Sequence, residues 1–69
     1  MTKAEALKLQ PGTKLSLNGL ILIFEGFVTI KIPPNWEPTL FCKLANPDGT
    51  YGLQQPQDMV PFELVKDDS

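Results

Sequence analysis

The 69-residue chain carries six lysines and no arginine against eight carboxylates, has no histidine, and bears a net charge of −2. Without arginine it lacks the forked donors that clamp phosphates and read guanine edges, and outnumbered lysines make a poor footprint for nucleic acid. Without histidine the commonest general base and metal ligand are missing, and a single cysteine, Cys42, excludes an intrachain disulfide, a Cys–His nucleophile and a standard zinc site.

A lone cysteine suits a reducing, cytoplasmic setting. The stretch MTKAEALK has no apolar core of a secretory leader, and the longest uninterrupted apolar run, residues 20–24, is far too short to cross a bilayer. Area scaling leaves about 4,300 Å² of folded surface from about 11,000 Å² in the extended chain, so roughly 60% is buried. That core cannot hold every apolar residue, and the surplus is expected outside, where a partner would bind.

In chain order, residues 1–12 form an N-terminal segment. Thr2-Lys3-Ala4-Glu5 fits a capping box, which predicts a helical turn through Ala6 and Leu7 ended by Gln10-Pro11-Gly12; a frayed terminus is the alternative. Residues 13–65 read as a β-domain. Asn18-Gly19 tolerates the positive φ that both central positions of a type I′ turn need, so it predicts a hairpin between Lys14–Leu17 and Leu20–Ile32. This register places Leu15, Leu17, Leu20, Leu22 and Phe24 on one apolar face and Lys14, Ser16, Ile21, Ile23 and Glu25 on the other. Thirteen extended residues would span roughly 40 Å, so the second strand is expected to bend, and Gly26 is the place for a bulge. Beyond it the alternation is expected to set Val28, Ile30 and Ile32 against Phe27, Thr29 and Lys31.

Three prolines in residues 33–39 predict a loop. A third strand follows at Leu40–Ala45, then a type I turn at Asn46-Pro47-Asp48-Gly49, and a fourth strand at Thr50–Gln54. A short 3₁₀ turn is expected at Gln55–Asp58, a fifth strand at Pro61–Val65, and a solvated acidic tail at 66–69.

Five strands, two tight hairpins, a long bent second strand and a short turn before the last strand resemble an SH3-like small β-barrel. The fold class implied is all-β: a five-stranded, partly open barrel with a short N-terminal helical turn. The resemblance is to a superfold and carries no activity. The Ala-Leu-Tyr-Asp-Tyr stretch and Trp-Trp pair of signalling SH3 domains are absent, as is the basic KOW pattern. An OB-type barrel is the alternative.

No catalytic residues and no cofactor are expected. Cys42 alternates with Leu40 and Leu44 and reads as buried filler. The carboxylates lie on turns, loops and polar faces, and no glycine-rich phosphate loop exists. Trp36, in the proline loop, either folds back as a lid or anchors a partner. Ile21, Ile23 and Phe27 either pack against Leu7 and Leu9 or form an exposed docking stripe. Tyr51 sits at a core edge or in a ligand groove. These five residues are the candidate partner-binding set. The function expected is a non-enzymatic interaction module or accessory subunit that binds another protein or a second copy of itself through a strand edge. The alternative is a nucleic-acid-binding barrel that stacks bases on Trp36, Tyr51 and Phe41 with Lys14, Lys31 and Lys43 at the phosphates. No metal and no membrane contact are expected.

Overall fold

The computed structural model describes residues 1–65, so the acidic tail expected at 66–69 lies outside the described residues. The elements are α1 (Lys3–Ala6), β1 (Lys14–Leu17), β2 (Leu20–Ile32), β3 (Glu37–Ala45), β4 (Tyr51–Gln54), a 3₁₀ turn (Pro56–Met59) and β5 (Glu63–Leu64). They form one antiparallel sheet in the order β4-β3-β2-β1-β5. β4 and β5 remain its two edges, so the sheet is open.

The founding hairpin forms as the Asn-Gly pair dictates. Asn18 and Gly19 have φ of 50° and 86°, and Leu17 pairs with Leu20 and Leu15 with Leu22. Leu15, Leu22 and Phe24 turn inward and are buried, whereas Leu20 at the hairpin tip is 56% exposed. The leucine ladder is therefore a core face only away from the turn.

The inner face is closed from below by two short segments. The capping box is complete: the Glu5 amide donates to Thr2 Oγ1 (3.2 Å) and the Thr2 amide to Glu5 Oε1 (2.9 Å). The turn it starts delivers Ala6 and Leu9 into the core, and the 3₁₀ segment delivers Met59 and Phe62 from the other end of the chain. The Met1 amino group ties the two together by donating to the carbonyls of Val60 (2.8 Å) and Phe62 (2.7 Å). Residues 1–12 thus share the core of the β-domain. Leu9 is buried there and Leu7 is exposed, so neither covers Ile21 or Ile23, which lie on the opposite face of the sheet.

β3 begins three residues earlier than the prolines suggest. The connection is a four-residue turn at 33–36, closed by the Trp36 amide donating to the Ile32 carbonyl (2.9 Å), and Ile32 pairs with Glu37. Pro38 is tolerated because β4 covers only Cys42–Ala45, so β3 has a single strand neighbour where the missing N–H falls. β4 starts at Tyr51, because Thr50 belongs to the turn: its carbonyl accepts from the Asn46 amide and its amide donates to Asp48 Oδ1. The 3₁₀ turn sits one residue later than expected, with Pro56 at its start, and β5 is only two residues long.

The bend in β2 is a bulge. Pairing with β3 slips between Phe24 and Gly26, where Gly26 has φ 115°. A Cβ there would meet only Pro11 Cγ at 3.9 Å, so space is available and the backbone conformation is what requires glycine. Gly26→Ala should therefore lose roughly 1–3 kcal/mol in urea unfolding. A change within a few tenths would show that the bulge is unstrained.

Thr2 holds the Glu5 carboxyl below its ordinary value through its backbone amide and then its hydroxyl, and Thr50 does the same for Asp48 through its hydroxyl and then its amide. Both folded-state values are depressed, so the stabilisation is present above the ordinary 4.5 and 3.8 and is lost as pH falls through the folded values. The urea midpoint should drop below about pH 4.5, and Glu5→Gln with Asp48→Asn should flatten that drop.

Candidate functional site

The bulge decides which side chains share a face. Opposed residues on paired antiparallel strands point to the same side of a sheet. Phe24 lies opposite Leu44, and after the slip Phe27 lies opposite Cys42. Leu44 and Cys42 are both buried, so Phe27 belongs to the inner face. There it packs edge-on against Phe24, with ring centroids 5.0 Å apart and planes at 70°. The extra residue at the bulge reverses the alternation expected beyond it. Phe27 does not join Ile21 and Ile23, and Val28, Ile30 and Ile32 take its place beside them.

The outer face can be read in rows across the strands. Ile23 lies beside Ala45, which lies beside Tyr51; Lys43 lies beside Leu53; Val28 beside Phe41; Ile30 beside Thr39; Ile32 beside Glu37. Ile21, Ile23, Ile30, Ile32, Leu53 and Tyr51 are each 37–59% exposed. Together they present on the order of 500 Å² of apolar side chain, near the upper end of what a monomer's largest patch shows. The Lys43 ammonium sits in the middle of this patch, 4.1 Å from the centre of the Tyr51 ring, and Lys14 lies on the same face opposite Ile23.

Four of the five candidate residues are exposed on this face or at its end. Ile21, Ile23 and Tyr51 share the face, Trp36 stands at the far tip of the β2–β3 hairpin and is 63% exposed, and Phe27 lies on the other side. Trp36 is no lid: it is the last residue of the turn, at φ 55°. Val28, Ile30, Ile32 and Leu53 are not among the candidates read from the sequence, and Phe41 enters there only as a base-stacking group. The glycine that marks the bulge was the available signal for the first three, because one inserted residue exchanges the faces.

The β2–β3 hairpin extends past the core as an arm. The molecule measures 45 × 27 × 20 Å, and between Phe27 and Phe41 no residue is buried. Under the base of this arm lies an open groove of about 380 Å³ between Leu7, Pro38, Leu40 and Pro56, with Lys3, Gln55 and Gln57 at its rim. Cys42 is wholly buried, and burial pushes its thiol pKa up, away from thiolate chemistry. Among the described residues, no group of three or more Cys, Asp or Glu side chains converges on a point, and no helix is long and apolar enough to cross a membrane.

Comparison with protein-family models, with curated proteins and with solved structures finds no match to this chain.

Trp36→Gly separates the anchor role from a packing role. Glycine removes the cost of the left-handed backbone, so thermal unfolding should show stability unchanged or raised by up to about 1 kcal/mol. A loss of about 3 kcal/mol or more would mean that the indole is part of the core.

Proposed function

We propose that the chain is a non-enzymatic interaction module, an accessory subunit that docks on another protein through the outer face of its sheet. The observation that carries this reading is the uncovered row of β-branched and aromatic side chains running from Tyr51 and Ile23 to Ile32, with Trp36 beyond it. Aromatic anchors at the two ends of an apolar strip match the composition of interface cores. Among the described residues, the thiol is buried and no group of three or more Cys, Asp or Glu side chains converges, which supports a non-enzymatic reading.

An SH3-like small barrel is the architecture that goes with this reading. Four strands in meander order, a fifth returning beside the first, and a 3₁₀ turn before that fifth strand all support it. A cytoplasmic setting is proposed with it, on the strength of the single unpaired Cys42. Base stacking is less well supported. Trp36 and Tyr51 lie roughly 27 Å apart along β3, too far to form one platform, and lysines are sparse between them.

The test uses the immobilised full chain beside an Ile23→Lys, Leu53→Lys variant. Both positions are exposed, so the variant should keep its thermal midpoint within the few degrees expected of a surface change. A protein retained from lysate by the wild type and lost by the variant supports docking on this face. Equal retention by both, or none by either, overturns it.

A further inference from the structure

We infer that the arm carries a self-complementary strand edge, and that two copies of the chain pair through β2 across a twofold axis at Thr29. The inference uses backbone groups of the arm's edge and does not rest on the outer face being a docking site.

β1 accompanies β2 only as far as Ile23. One step further, the Phe24 amide donates to the Thr13 carbonyl (2.8 Å) and the Phe24 carbonyl accepts from the Gly12 amide (2.7 Å). Past the bulge, no strand among the described residues pairs with this edge. The Ile32 carbonyl is turned toward β3, where it accepts from Trp36. Backbone groups alternate in direction along a strand, so Val28, Ile30 and Ile32 address β3, while the amides and carbonyls of Phe27, Thr29 and Lys31 point outward. The arm thus offers three consecutive outward donor–acceptor pairs.

The arm's other edge is blunted. On β3 the residues that point outward before β4 begins are Pro38 and Leu40, and Pro38 has no N–H. That edge also faces the groove walled by Leu7 and Pro56. The β2 edge has no proline over residues 27–32, and among the described residues no strand pairs with it there.

The occupant that fits is a second β2. In antiparallel register about Thr29, Phe27 and Lys31 exchange hydrogen bonds with the partner's Lys31 and the partner's Phe27, and the two Thr29 residues pair on the axis. All three outward pairs are then used. Lys31 meets an aromatic ring instead of another lysine, a favourable cation–π placement, so no like charges oppose each other. On the outer face Val28 lies across from the partner's Ile30, a β-branched pair of the kind that stabilises adjacent strands. The joined arms would form a four-stranded sheet, which removes the weakness of an isolated two-stranded ribbon in water.

Such an edge buries less than the about 1,200 Å² of a standard stable interface, so the dimer is weak and sedimentation should show it forming from about 10 µM to about 1 mM. Thr29→Pro deletes an outward N–H and no bond to β3. It should keep the thermal transition while weakening association at least about tenfold. Ile30→Pro deletes a bond to β3 and should lose the transition instead. As a second readout, Thr29→Cys should crosslink two copies under mild oxidation, and Thr39→Cys, on the opposite strand of the arm, should not. Wild type that stays monomeric to about 1 mM, or a Thr29→Pro variant that folds and associates as well as wild type, overturns the proposal. Crosslinking at Thr39→Cys equal to that at Thr29→Cys overturns it as well.

Discussion

The structure depends on one inserted residue at the Glu25–Gly26 bulge. Up to Phe24 the second strand faces the core with its even-numbered side chains; from Phe27 on it does so with the odd-numbered ones. Without the insertion, Val28, Ile30 and Ile32 would continue the core face, and Phe27 and Lys31 would face outward. With it, the aliphatic residues of the arm line up behind Ile21 and Ile23, and Phe27 closes the end of the core against Phe24. The insertion is possible because Gly26 can hold φ 115°, a conformation that a side chain resists. A single backbone torsion therefore links the end of the core to the start of an exposed apolar surface.

The molecule divides into a half that is packed and a half that is presented. The core draws on both chain ends, with Ala6 and Leu9 from one and Met59 and Phe62 from the other, and all four cover the same inner face. Among the described residues, that arrangement leaves no segment over the outer face of the sheet. The arm then extends the two central strands past the described core, with no buried residue between Phe27 and Phe41. Area scaling for a chain this small leaves more apolar side chains than interior volume. The bulge gathers that surplus on one continuous surface instead of scattering it, and gathered apolar surface is the kind that partners bind.

Much of this could be read from local sequence. Asn18-Gly19 fixed both strands of the first hairpin and their register, because the turn needs two positive φ values and few residue pairs supply them. The Thr2–Glu5 pair foretold the short helix through two specific hydrogen bonds. Gly26 is legible as a bend, but the extra residue also exchanges the faces beyond it, so Phe27 lies inward, away from Ile21 and Ile23. The prolines misled in the other direction. Pro38 excludes a strand with ladders on both sides, and whether β4 extends far enough to supply the second ladder is a tertiary fact. Nor does local pattern place Trp36. Its exposure follows from where the arm ends relative to the core, which depends on how far β1 and β4 reach along it.

The two edges of the arm set the order in which partners can be added. An edge strand in water recruits other strands unless something prevents it, and the usual devices are proline, charge, brevity and cover. β3 has the proline and lies against the groove beside α1. β2 has Lys31 alone, at the far end of six residues dominated by Phe, Val and Ile. One lysine opposed by an identical strand would repel its counterpart only in a register that brings the two together, and antiparallel pairing about Thr29 keeps them four residues apart. The charge thus filters registers without closing the edge. Pairing there would also place two outer faces side by side in one sheet, doubling the apolar strip available to a third component. Edge pairing and face docking are therefore compatible uses of the same arm: the first proceeds through backbone groups in the plane of the sheet, the second through side chains perpendicular to it.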